Sequence, residues 1–120
     1  MITNLTTHDP VSQQPIPVTV DWTDVPVTKI ALDRVNVEGN PQALEATVDF
    51  GPLASYPPAA TYFDVEVDIH TAGHLVRIRE GLEISSPADL QKEIQKAWKI
   101  ASTSGGTGTI LSVEVRTFVR

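Results

Sequence analysis

Asp68, His70 and His74 fall within a single short stretch and are the nearest the chain comes to a reactive cluster. Two imidazoles with a carboxylate suit zinc or another divalent ion, and Asp68 beside His70 could serve as a general base with its partner. The spacing works against both, because His70 belongs to an alternating strand pattern whereas His74 falls in the turn that follows it. A metal-binding or hydrolytic module at His70 and His74 therefore ranks third among the functions considered. No nucleophile stands at a recognisable spacing, and there is no G-x-S-x-G. With no cysteine in the chain, thiolate catalysis and Cys-ligated metals are closed. The expectation is a protein that is not an enzyme and carries no cofactor or metal. The run from Ser102 to Thr109 imitates a phosphate loop, but phosphate cradles precede a helix N-terminus, and this run follows a candidate helix.

A second constellation is charged. In Tyr62 to His70 the odd positions are apolar, while Asp64, Glu66 and Asp68 alternate with them. The segment Leu75 to Glu80 answers with Val76 and Ile78 on one side and Arg77 and Arg79 on the other. Setting His70 opposite Leu75 places Asp68 against Arg77, Glu66 against Arg79, Ile69 against Val76 and Val67 against Ile78. A slip of one residue would set carboxylates against valine and isoleucine. Thr71-Ala72-Gly73-His74 is then the connection, with Gly73 free to take positive φ. The charged residues Asp64, Glu66, Asp68, Arg77 and Arg79 read as a solvated ladder of cross-strand pairs, or as a protein-interaction face patterned by sign.

The elements that must hold this hairpin are legible to different degrees. Residues 1–15 are polar, contain Pro10 and show no periodicity, which reads as an N-terminal arm. Val18, Val20 and Trp22 alternate with Thr19 and Asp21 as a first strand. Thr28 to Val37 makes a second, whose apolar parity changes near Asp33-Arg34 and so predicts a bulge there. Glu38-Gly39-Asn40-Pro41 is turn chemistry, and Leu44, Ala46, Val48 and Phe50 give a third strand hairpinned to the second. The proline-rich Gly51 to Ala60 reads as a surface loop. After the central hairpin, Ser86 and Pro87 form a helix-start signature, and Leu90, Ile94, Ala97, Trp98 and Ala101 make an apolar stripe with Lys92, Lys96 and Lys99 opposite. The spacing predicts a helix over 87–102. A last strand has Leu111, Val113, Val115, Thr117 and Val119 inward and Ser112, Glu114, Arg116, Phe118 and Arg120 outward; it belongs beside the first strand of the hairpin, antiparallel to it.

Together these predict an α+β fold. Residues 16–120 form one β-rich domain, a mostly antiparallel sheet or sandwich of about six strands with one amphipathic helix packed across it, and residues 1–15 form the arm. A chain of 120 residues with 41% hydrophobic and 20% charged side chains has the composition of an ordinary globular domain. The formal net charge of −6 argues against nucleic acid and against anionic membranes, even though Lys92, Lys96, Lys99, Arg116 and Arg120 could make a local basic footprint with Phe118 to stack a base. No window approaches the ~18 apolar residues of a membrane helix, the first residues have no basic and apolar leader pattern, and the lack of cysteine suits a reducing compartment, so cytoplasm is the expected location, host cytoplasm or virion if the source is viral. The leading functional expectation is a non-catalytic structural or assembly protein acting through protein–protein contacts, by self-association or in a larger assembly. By architecture-level analogy, viral capsid, neck and tail subunits are such proteins. The runner-up is a small acidic inhibitor or adaptor that binds a basic protein surface through Asp64, Glu66 and Asp68.

Overall fold

The structure, a computed structural model, describes residues 2–22, 26–51, 61–84 and 97–119. Within them the chain is all-β. Eight strands, β1 (Ile2–His8), β2 (Pro15–Trp22), β3 (Val27–Val37), β4 (Asn40–Phe50), β5 (Thr61–Thr71), β6 (His74–Ile84), β7 (Ala97–Ser102) and β8 (Ile110–Val119), form two sheets. The larger has the order β1-β2-β8-β5-β6 and the smaller β3-β4-β7. Only β2 and β8 pair in parallel; every other pairing is antiparallel. The edges of the two sheets approach each other, β1 beside β3 and β6 beside β7, so the sandwich is nearly closed.

The α+β expectation is thereby overturned. Residues 85–96 of the expected helix lie outside the described residues, but its last turn and a half is strand β7, antiparallel to β4. Ile100 explains why. It falls off the helical stripe drawn through Leu90, Ile94 and Trp98, yet it is buried to 2% exposure against Ala46. As a strand, the segment turns Trp98 and Ile100 into the core and Lys99 outward, and burying the isoleucine contributes about 2 kcal/mol that a helix would forgo.

The N-terminal arm is a second correction. Ile2–His8 pairs with β2 over its whole length. Thr3, Leu5 and Thr7 face inward, and three threonines supply extended-chain preference with little apolar signal, which is why a polar edge strand passes for an arm. The Asp9 side chain fixes its hairpin by accepting hydrogen bonds from the amides of Val11 (2.8 Å) and Ser12 (3.0 Å). Those amides, Ser12 foremost, hold its carboxyl below the ordinary carboxylate range.

The central hairpin adopts the expected register pair for pair, with Ala72 and Gly73 alone forming the loop and Gly73 at φ 103°. The β3–β4 hairpin also forms, around Glu38 and Gly39, both at positive φ as a type I′ turn requires. The bulge does not sit at Asp33-Arg34; the irregularities fall at Thr28 and Asn36. Parity is carried through, Val35 ends on the outward side, and Arg34 reaches over the rim to donate from Nη1 to the carbonyls of Gln42 (2.9 Å) and Gly106. The proline-rich segment 52–60 lies outside the described residues. β8 takes its expected place beside β5, but a bulge where Thr71 pairs with Ile110 puts Ile110 inside and leaves Leu111 exposed. The core between the sheets is mostly β-branched: Ile16, Val18, Val20, Val65, Val67, Ile69, Val76, Ile78, Val113 and Val115 from one side meet Val27, Ile30, Leu44, Val48 and Ile100 from the other.

Candidate functional site

The outer face of the five-stranded sheet carries the charged residues. β5 lies between β6 and β8, so each outward side chain of β5 has a neighbour on both sides. Reading across the registers, one row runs Arg77, Asp68, Glu114, Thr19, and the next runs Arg79, Glu66, Arg116, Asp21, Ile2. Asp64 faces Phe118, and His70 lies between Leu75 and Ser112.

The expected residues come together, but not as a solvated ladder. The Asp68 side chain is only 3% exposed, because guanidinium groups from both neighbouring strands fold over it. Arg77 donates to it through Nε (2.9 Å) and Nη2 (3.0 Å), a two-point pairing. Arg116 donates through Nη1 to Asp68 (2.9 Å) and Glu66 (3.0 Å), and through Nη2 to Glu114 (2.9 Å). Arg79 is paired by register with Glu66 yet donates to Asp64 at 3.2 Å, with its guanidinium carbon 6.0 Å from the centre of the Phe118 ring. Glu66 is already held by Arg116, and the ring that faces Asp64 gives Arg79 a surface to lie on. The Arg77 hydrogen bonds, helped by the charges of Arg77 and Arg116, outweigh burial and hold the Asp68 carboxyl below its ordinary value; the same pairing raises Arg77.

Arg116 joins three carboxylates and is the residue that sequence reasoning left out of the site. The signal was present, since placing the last strand against β5 in register brings Arg116 opposite Glu66. What reaches water is the reverse of the acidic face read from the sequence. Asp64, Glu66 and Asp68 are buried, whereas Arg77 and Arg79 are 55% and 57% exposed.

His70 and His74 are not brought together. His70 is on the outer face with Asp68, its Nε2 3.8 Å from Glu114 and without a hydrogen bond among the described residues. His74 pairs with the inward Thr71 on the other side of the hairpin, with Nδ1 3.1 Å from its hydroxyl. Among the described residues no group of three or more His, Asp or Glu is arranged to hold a metal ion. The basic footprint is divided as well: Lys99 points away from the core on the three-stranded sheet and Arg116 on the five-stranded one, while Lys92, Lys96 and Arg120 lie outside the described residues. Of the Ser102–Thr109 run, Ser102 ends β7 and residues 103–109 are the connection to β8, with Gly105 pressed on the backbone of β4.

Around the ion pairs stand exposed apolar side chains. Ile2, Tyr62, Leu75 and Phe118 are all large, exposed and on this same outer face. A shallow hollow of about 170 Å³ between Ile2, Thr19, Asp21, Glu114 and Arg116 roughens its β1 side. No helix among the described residues is long and apolar enough to cross a membrane. No protein-family model, no curated protein and no solved structure matches the chain.

Proposed function

We propose that the chain is a non-catalytic structural or assembly protein that works through protein–protein contacts, associating with itself or within a larger ordered assembly of the kind that viral capsids, necks and tails exemplify. The observation that carries this reading is the outer face of the five-stranded sheet, where exposed Ile2, Tyr62, Leu75 and Phe118 surround a network of ion pairs. Tyr62 and Phe118 are diagonal neighbours at one end of the face, with Ile2 and Leu75 on its two edge strands, and exposed apolar side chains of this size on one face of a rigid sheet suit a contact surface. The network between them is already partly desolvated and geometrically fixed, so covering it adds less penalty than burying free charges would.

Catalysis finds little support in the same geometry. Asp68, the carboxylate considered as a base beside His70, is held ionised by Arg77 and Arg116, and a carboxyl kept below its ordinary range is a weak base. The acidic-adaptor reading needs Asp64, Glu66 and Asp68 to touch a partner, and the arginines stand over them. Sedimentation velocity of the purified chain over a wide concentration series tests the proposal. The expected result is a concentration-dependent rise above the 13.0 kDa of one chain. A strict monomer at the highest soluble concentration overturns self-association, and a chain that also co-purifies with no other protein from its native host overturns the proposal as a whole.

A further inference from the structure

We propose that one end of the sandwich is a binding site for a small hydroxylated carboxylate, of the chemical class of the sugar acids, with Arg34 holding the carboxylate. The site is separate from the outer face on which the assembly reading rests. The strand directions bring the connections 9–14, 38–39, 72–73 and 103–109 to this end. Here lies a hollow of about 310 Å³, lined by Asp9 and Ser12 from the β1–β2 turn, Arg34 and Gln42 from β3 and β4, and Thr107 and Thr109 before β8. That volume is at the lower end of the ~300–1,000 Å³ of small-ligand sites, and the ends of sandwiches are where their loops gather.

Arg34 carries the argument. By register it stands on the inward side of β3, opposite buried Leu44, where the core gives way to the rim. It ties the carbonyls of Gln42 and Gly106 together through Nη1 alone. The other edge of its guanidinium, Nε with Nη2, has no acceptor among the described residues and is not sealed from solvent. What such an edge holds is shown elsewhere in the chain: Arg77 uses Nε (2.9 Å) and Nη2 (3.0 Å) to grip both oxygens of the Asp68 carboxylate. The surroundings narrow the occupant further. The amides of Ser12 and Val11, with a smaller pull from the Arg34 charge, keep the Asp9 carboxyl below its ordinary range and so ionised. A second negative charge in the hollow disfavours a dianion such as phosphate, and an ionised acceptor calls for a donor on the occupant. The hydroxyl-bearing Ser12, Thr107 and Thr109 call for partners that both give and take hydrogen bonds, as alcohols do. An acidic side chain of a partner protein would satisfy Arg34 but not Asp9 and the three hydroxyls. One carboxylate with several hydroxyls satisfies them all.

Two-dimensional amide NMR of the whole chain, at neutral pH and fixed ionic strength, tests the site with D-glucuronate, D-glucose and acetate as probes. Glucuronate should give saturable shifts of the Arg34 Nε–H and of the Ser12, Gln42 and Thr107 to Thr109 amides. Glucose should give none, and acetate, which makes only the carboxylate contacts, should bind about tenfold more weakly. Arg34→Lys keeps the charge but loses the two-point edge, and should weaken glucuronate about tenfold or more. A thermal melt checks its folding. Should it fail to fold, Asp9→Asn replaces it: the asparagine keeps an acceptor oxygen for the turn, and the variant should bind glucuronate several-fold more weakly and acetate no more weakly than the parent does. No saturable shift with glucuronate, binding that survives Arg34→Lys or is untouched by Asp9→Asn, or glucose binding as well as glucuronate overturns the site. Acetate binding as tightly as glucuronate overturns the ligand class, and makes an acidic side chain of a protein partner what Arg34 holds.

Discussion

Asp68 shows how a single side chain can be placed by its neighbours rather than by its own polarity. It accepts two hydrogen bonds from Arg77 and one from Arg116 while nearly sealed from water. An ionised carboxylate in that position is stabilised only as long as the guanidinium groups remain. Asp68→Asn should cost about 2 kcal/mol at neutral pH, since Arg77 and Arg116 are partly exposed and can regain water. The pH dependence has a definite sign. The folded-state pKa is lowered, so the stabilisation is complete above the unfolded carboxylate pKa of about 3.9 and disappears as pH falls through the folded value. Denaturant midpoints of parent and variant should therefore be farthest apart at neutral pH and converge in acid below it. A gap that stays constant into strong acid would show that the ion pairs are not its source. The alternation of Asp64, Glu66 and Asp68 was legible in the sequence, as was the register that sets Arg77 beside Asp68. Their burial was not, because it depends on Arg116, which lies 48 residues away and closes the network only when β8 lies against β5.

At the scale of elements, the hairpins were readable and the short strands were not. β5 with β6 declares itself because alternation, turn residues and opposite charges agree, and β3 with β4 because alternation and turn residues do. β1 fails to do so because threonine serves in place of apolar residues on an edge. β7 fails because Ala-Trp-Lys-Ile-Ala-Ser satisfies both a helical and a strand period over so few positions, and only the burial of Ile100 separates them. The connection between β7 and β8 looked like a flexible glycine run, yet one of its glycines is a packing device. A Cβ on Gly105 would collide with the carbonyl oxygen of Gln42 and come within 2.8 Å of the Leu44 amide nitrogen, and neither backbone atom can move without disturbing β4. Gly105→Ala should destabilise the fold by about 3 kcal/mol, the upper range for overpacking, in a chemical denaturation experiment. Gly108→Ala is the control: its Cβ would meet only ordinary contacts at 3.5 Å and beyond, and the midpoint should move far less.

For the whole molecule, the decisive feature is that the large sheet is completed by strands from opposite ends of the chain. Val113 of β8 sits on the inner face between Val18 of β2, its parallel partner, and Ile69 of β5, its antiparallel one. All three are buried, so the two contacts are alike in packing but not in how they can form. β5 and β6 are joined by a two-residue loop, and β8 needs only the intervening β7 segment to reach them. The parallel pair must close almost the whole chain, at an entropy cost of ~4 kcal/mol for a flexible loop of that length, and it is relieved only after the rest of the sheet has been assembled. Long-range pairing of this kind places refolding in the millisecond-to-second range expected of β-sandwiches. It also divides the core mutations by kinetics. Ile69→Val should lower stability by about 1 kcal/mol and act mainly by slowing folding, because its contacts belong to the part that forms first. Val18→Ala should cost about 2 kcal/mol and act mainly by speeding unfolding, since β2 joins β8 late. Chevron plots of the two variants separate these outcomes. If Val18→Ala instead slows folding as much as it destabilises, the terminal strands meet early, and the sheet is organised from its parallel pair outward.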